Sequence, residues 1–382
     1  MNFMSEGAIS ETAGIFALKN YRKVLFVVDE GAYEACGADG VLEPILENCV
    51  VGRFVGFELN PKLADIQRGV EISQELNPDV VIALGGGTAI DLGKLIGSLS
   101  VQSSTARDVI EGRVTIKRKG TPLIAIPTTA GTGSEATHFA VAYVGKKKFS
   151  VAHESLLPDF SIVDPQLTYS LPARITAATG LDAFCQAIES IWAVGGTDES
   201  TAFATEAIEI AVANLVQAVN SPSPETRMAM CRASHLAGKA INISKTTAPH
   251  ALSYALTSNH GIPHGIAVAL TLGPVLTYNA DVNGDDCADR RGAEFVRRRI
   301  GTIVKLLGAT SVREASETFS EIVSKIGCPN TLVEAGITTS DQLQKIVSSV
   351  NAERMSNNPR QTTSSSLIEL LSEPLVRGST IE

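Results

Sequence analysis

His250 and His264 stand fourteen residues apart in HALSYALTSNHGIPHG, and upstream of them Asp182 and Gln186 stand four apart in GLDAFCQAIES. Four residues are about one helical turn, so the carboxylate and the amide share a face and can meet two imidazoles at one point. Such a convergence describes a divalent-metal site. An Asp/His/His set suits Fe²⁺ or Zn²⁺ and leaves a coordination position for a substrate oxygen. Residue types alone also allow the plainer reading of two hydrogen-bonded core histidines.

A second chemical feature is GGGTAID, Gly85 to Asp91, directly after the apolar run DVVIAL. Glycines at a strand-to-helix turn let backbone N–H groups approach a pyrophosphate, and the helix N-terminus adds a favourable field for the anion. The spacing departs from GxGxxG, because position 90 is Ile. Asp29 ends the apolar run of FVVDE. There a carboxylate can accept from the ribose hydroxyls of NAD and repel the extra phosphate of NADP, or it is a surface turn residue.

Elements must exist to position these groups. KVLFVVDE (Lys23 to Glu30), DVVIALGGG (Asp79 to Gly87) and TPLIAIPTT (Thr121 to Thr129) are apolar on both faces and end in turn residues, as strands of a covered parallel sheet do. Residues 62–76 and 90–99 fit the intervening helices. From about Pro172 the pattern becomes a succession of amphipathic helices, including ITAATGLDAFCQAIESIWA and TAFATEAIEIAVANLVQAV. The expected class is an α/β dinucleotide-binding domain with a parallel sheet over residues 1–173, followed by an all-α metal and substrate domain over 174–382.

Composition bounds the partners. With 382 residues, two domains are the default, and 44% hydrophobic with 19% charged residues describes a globular chain. A net charge of −9 argues against nucleic acid or an anionic membrane as the main partner. Six scattered cysteines without a CxxC pair fit reduced thiols in the cytoplasm, and MNFMSEGAISETAG has neither the basic start nor the apolar core of a signal peptide. No run approaches eighteen uninterrupted apolar residues, so no membrane span is expected.

GGGTAID, IPTTAGTGSE, PDFSIVDP and the PHG of Pro263 to Gly265, in this order over nearly the whole chain, resemble the iron-containing (group III) alcohol dehydrogenase family. The resemblance implies that Gly86, Gly87, Thr88, Asp91, Thr128, Thr129 and Ser134 bind the dinucleotide, with NAD favoured by Asp29 and NADP the alternative. Thr88 stands where serine is usual, and Lys94 also matches the pattern. It implies His138 and Phe139 near the nicotinamide and the substrate, and Asp182, His250 and His264 as ligands of Fe²⁺, with Zn²⁺ the alternative. Gln186 occupies the place of a fourth, histidine ligand: a weak amide ligand, or the sign of a three-ligand or metal-free site. Tyr254, one turn after His250, is either a proton relay or a core tyrosine. Relatives are homodimers or larger homo-oligomers.

A narrower resemblance, carried by CQAIES, AGKAINISKTTAPHALSY, GIPHG and VNAERMSNNPR, is to the phosphonoacetaldehyde reductase subgroup. It implies reduction of phosphonoacetaldehyde to 2-hydroxyethylphosphonate, with Lys245, Thr246 and Thr247 cradling the phosphonate and Arg354 as a further contact. Lys245 would then also assist catalysis. Ile266 departs from the subgroup, where a histidine follows PHG. Open beside this reading are a solvent-facing Lys245, another small alcohol, aldehyde or semialdehyde as substrate, and a non-catalytic nucleotide-binding relative.

Overall fold

The computed structural model describes residues 1–145, 147–350 and 355–378. The chain divides into two compact units, Met1–Pro172 with Pro222–Gly238, and Ala173–Ser221 with Lys239–Glu382.

In the first unit a six-stranded, all-parallel sheet has the order β1-β8-β5-β4-β2-β3. The strands are β1 (Asn2–Met4), β2 (Lys23–Val28), β3 (Val50–Phe54), β4 (Val80–Gly85), β5 (Leu123–Pro127) and β8 (Phe160–Val163), while β6 (Phe139–Val144) and β7 (Lys147–Ala152) form a separate antiparallel hairpin. Side chains alternate across a strand, so β2 and β4 send Leu25, Val27, Val81 and Ala83 into one core and Val24, Phe26, Ile82 and Leu84 into another. Each full burial of a large apolar side chain contributes roughly 1.5–3 kcal/mol, which is why these runs are apolar throughout. Helices α1 (Glu11–Lys19), α2 (Glu30–Ala35), α3 (Asp39–Leu46), α4 (Leu63–Leu76), α5 (Gly87–Leu99) and α6 (Ala106–Ile110) complete it. The α5 helix starts three residues before the expected position 90, inside the glycine run.

The second unit is built of helices among its described residues: α7 (Ala173–Trp192), α8 (Asp198–Asn220), the end of α9 (Pro224–Ser244), α10 (Ala248–His260), α11 (His264–Ala280), α12 (Ala293–Leu306), α13 (Val312–Lys325), α14 (Ser340–Ser348) and α15 (Ser364–Gly378). By length and composition alone α8 could cross a membrane; it carries Glu206 and Glu209 and packs along α7. A single division at residue 173 does not describe the return of Pro222–Gly238 to the first unit. Arg227 donates to Leu171 O (3.1 Å), His235 bonds Glu135 (3.0 Å), and Gly238 lies against Gly133 so closely that a Cβ on Gly133 would meet Gly238 Cα at 2.5 Å.

Candidate active site

In the first unit β3 lies outside β2 on one side and β5 outside β4 on the other. The chain therefore reverses its travel across the sheet between β2 and β4, and the crevice beyond the carboxyl ends of strands at such a point is where open parallel sheets bind ligands. Asp29 follows β2, and Gly85–Gly87 end β4 and open α5. Gly85 has φ +146°, and a Cβ on it would lie 2.8 Å from Ala89 Cβ and 3.2 Å from Asp29 Cβ, so only glycine fits. Gly86 is the N-cap of the 13-residue α5 and provides no side-chain cap, which leaves first-turn N–H groups for an anion. Asp29 accepts from Ala32 N–H (3.1 Å) and stays half-buried; Thr88 Oγ1, also half-buried, accepts from Asn60 N–H (3.2 Å). Thr129 packs 3.6 Å from the space beside Gly86.

Of the residues expected to touch the dinucleotide, Asp91 and Ser134 bond each other and Thr128 is buried. Asp91 accepts from the Ser134 hydroxyl (2.5 Å) and from Val141 N–H (2.9 Å), so this pair ties α5 to the glycine-rich loop and the hairpin. The Thr128 hydroxyl is enclosed by protein, and its N–H donates to Gly85 O (2.9 Å). Lys94 is buried and donates to Thr137 O (2.8 Å), Thr137 Oγ1 (2.9 Å) and Phe139 O (2.9 Å). Burial lowers its pKa to about 8 against the opposing pull of Asp91 and Glu135. These side chains shape the loop from behind. His138 and Phe139, half-buried at the head of β6, set their rings edge to face 5.8 Å apart.

In the second unit, α7, α10 and α11 bring the metal candidates together. Asp182 Oδ1 lies 3.2 Å from His250 Nε2 and 4.0 Å from His264 Nε2, and the three donor atoms fall within 4.8 Å of one another. Ligands about 2.1 Å from a tetrahedral ion stand roughly 3.4 Å apart, so one carboxylate oxygen and two imidazoles in this arrangement fit a divalent ion. Asp182 and His250 are buried, whereas the His264 side chain is 32% exposed, which leaves an accessible side. Gly265 makes the approach possible, because a Cβ there would sit 1.9 Å from Ala178 O on α7. Burial works to raise the Asp182 pKa, but the two imidazoles and a hydrogen bond from Gln186 outweigh it and hold the carboxylate below its ordinary range. Gln186, expected as a fourth donor, thus supports the carboxylate in this structure.

The sequence reading missed Glu189. It is 0% exposed and accepts from His250 Nδ1, from Thr247 N–H (2.6 Å) and from the Thr247 hydroxyl (2.7 Å), which itself accepts from Trp192 Nε1 (2.8 Å). A hydrogen bond at Nδ1 fixes the tautomer and turns Nε2 toward the metal position. Burial disfavours the imidazolium, yet Glu189 and Asp182 outweigh it and lift His250 to about 9. A carboxylate one turn beyond Gln186, seven residues after Asp182, was the available signal. Thr247 is therefore corrected from substrate cradle to support: it is fully buried against Glu189 and Trp192.

Thr246 is also buried, and its carbonyl accepts from Asn357 Nδ2 at 2.9 Å. Lys245, by contrast, is exposed on the turn after α9. Tyr254 is half-buried with its ring parallel to that of His264, centroids 6.2 Å apart. Arg354 lies outside the described residues. Arg360 pairs with Asp286 (2.7 Å), donates to Tyr278 O (2.7 Å) and covers the Tyr278 ring, an anchoring role.

A parallel sheet with a glycine-opened helix at its switch point, and a helical unit bearing an Asp/His/His cluster, define a metal-dependent oxidoreductase. The chain belongs to the iron-containing alcohol dehydrogenase family: the family model of that description matches residues 2–165, and that of the C-terminal part of the Fe-containing alcohol dehydrogenase family matches 176–375. It is 35% identical over 312 residues to phosphonoacetaldehyde reductase from Streptomyces viridochromogenes, covering 78% of this chain and 76% of the relative. It is 31% identical over 348 residues to alcohol dehydrogenase 4 from Saccharomyces cerevisiae, covering 89% and 88%. The crystal structure of sulfoacetaldehyde reductase from Bifidobacterium kashiwanohense in complex with NAD⁺ superposes with a TM-score of 0.86 at 29% identity, covering 100% of this chain and 97% of that one.

Proposed function

We propose that this protein reduces a small anionic aldehyde with NADH, with phosphonoacetaldehyde to 2-hydroxyethylphosphonate as the favoured reaction. The observation that carries this reading is the Asp182/His250/His264 cluster combined with an exposed cation, Lys245, on the turn that leads to His250. The relatives support it, because the Streptomyces enzyme is named for phosphonoacetaldehyde and the Bifidobacterium structure for sulfoacetaldehyde. Both are two-carbon aldehydes carrying a tetrahedral anion.

When bound, a divalent ion supplies Lewis-acid polarisation of a carbonyl and reduced nicotinamide supplies the hydride. Asp182, His250 and His264 hold the ion, Fe²⁺ in this reading with Zn²⁺ the alternative, while Gln186 and Glu189 orient Asp182 and His250. Gly86, Gly87, Thr88 and Thr129 receive the dinucleotide phosphates and Asp29 the ribose, which favours NADH over NADPH. His138 and Phe139 face the nicotinamide and substrate. Lys245 pairs with the phosphonate by a charge-assisted hydrogen bond, and the Tyr254 hydroxyl donates the proton that the product oxygen acquires. The first unit, Met1–Pro172 with Pro222–Gly238, then serves the dinucleotide, and the second holds the metal and the substrate's anion. Six free cysteines fit a reducing, cytoplasmic compartment, and the family resemblance is the support for a homodimer or larger homo-oligomer.

A small uncharged alcohol or aldehyde is the second reading, favoured by the longer match to the yeast enzyme. Initial rates of NADH oxidation across charged and uncharged aldehydes, with Fe²⁺, Zn²⁺ or chelator added, separate the two.

A further inference from the structure

Lys245 has φ +61°, and the other described non-glycine residues with positive φ are Asn20, Asn60 and Asn77. Asparagine tolerates the left-handed region; a lysine there crowds its Cβ against the backbone and persists only where its surroundings over-determine it. Those surroundings are on hand. Asn357 Nδ2 lies 2.9 Å from Ser244 O and 2.9 Å from Thr246 O, so its two amide hydrogens reach the carbonyls on either side of Lys245. Its Oδ1 accepts from Gly195 N–H (2.9 Å) and its carbonyl from Val194 N–H (3.0 Å). The Ser244 hydroxyl lies 3.0 Å from Lys245 O, and Thr247 is held by Glu189. Successive peptide planes around Lys245 are thereby fixed. Gly195 admits the clasp, since a Cβ on it would meet Ser244 O at 2.8 Å and Asn357 Oδ1 at 3.3 Å.

We propose that Asn357 is a positioning residue that holds Lys245 in its left-handed conformation and thereby sets the preference for an anionic aldehyde. The proposal rests on the reading of Lys245 as the anion contact. Among the described residues the hydrogen bonds of Asn357 all go to backbone groups, so its influence on substrate charge runs through the direction of the Lys245 ammonium.

The test is a double-mutant cycle of Asn357→Ala and Lys245→Ala, assayed in the metal-loaded enzyme with NADH and either phosphonoacetaldehyde or propanal; metal content and thermal melting are recorded for each variant. Each single substitution is expected to lower the ratio of kcat/KM for phosphonoacetaldehyde over propanal roughly tenfold, chiefly through KM, and the double variant no further. Should Asn357→Ala fail to fold, Asn357→Leu replaces it, keeping approximate size and neutrality while removing both donors. If Lys245→Ala leaves the ratio unchanged, the anion-contact reading falls and this proposal with it. If Lys245→Ala lowers the ratio but Asn357 variants leave it unchanged, lose both substrates equally, or add to the Lys245 loss, Asn357 is overturned as its positioning residue while the reading stands.

Discussion

Glu189 accepts from Nδ1 of His250 while the opposite ring nitrogen, Nε2, lies 3.2 Å from Oδ1 of Asp182. The imidazole is held between Glu189 and the carboxylate proposed as a metal ligand. Gln at 189 would offer one acceptor oxygen and one NH₂ group to donors that both need an acceptor, His250 and Thr247. Glu189→Gln should weaken metal retention on the order of 10–100-fold and cost about 1–3 kcal/mol of stability. Metal analysis after graded chelator dialysis checks this, and wild-type retention would remove Glu189 from the site.

His264→Ala removes the exposed member of the cluster. Metal and turnover should be lost together, and chelator treatment of the wild type should reproduce the loss, reversed by adding Fe²⁺ or Zn²⁺. A variant with stoichiometric metal and ordinary rates would sink the ligand assignment.

Asp29→Gly removes the carboxylate beside Gly85. The kcat/KM preference for NADH over NADPH should relax about tenfold, because the charge opposing a 2′-phosphate is gone. An unchanged ratio places Asp29 away from the ribose. Since Asp29 also caps α2, a small loss of stability should accompany the change.

Lys94 titrates at about 8 in the folded protein against an ordinary 10.5, with burial the cause. Between these values the unfolded chain binds more protons, so this group's contribution to stability rises with pH across the window and is lost as pH falls through 8. The slope is at most about 1.4 kcal/mol per pH unit. Urea unfolding of wild type and Lys94→Met over this range should differ by that rising term. Parallel stability curves would show that Lys94 stays charged throughout.

Much of this was legible in the sequence, for identifiable reasons. Strands such as Val80–Gly85, buried along their whole length, announce themselves as uninterrupted apolar runs, and Asp182, His250 and His264, suggested by donor type and by the family resemblance, are brought together by the fold. Other features depend on contacts that no local pattern encodes. Lys245, Thr246 and Thr247 are consecutive and read together as one polar turn, yet the fold turns both threonines inward, Thr247 onto Glu189, and leaves only Lys245 exposed. Asp91 and Ser134 each looked like a cofactor contact, and only tertiary structure pairs them. Asn357 lies 112 residues from Lys245, beyond the reach of spacing arguments.

The central claim is metal-dependent reduction of an anionic aldehyde, and its most direct test is wild-type kcat/KM with NADH for phosphonoacetaldehyde and for propanal, each with Fe²⁺ restored and with chelator present. A charge-assisted hydrogen bond contributes roughly 1.5–3 kcal/mol, so the charged aldehyde should be preferred about ten- to a hundredfold with metal and neither should turn over appreciably without it. Equal rates for the two aldehydes, or full activity in chelator, would contradict the account.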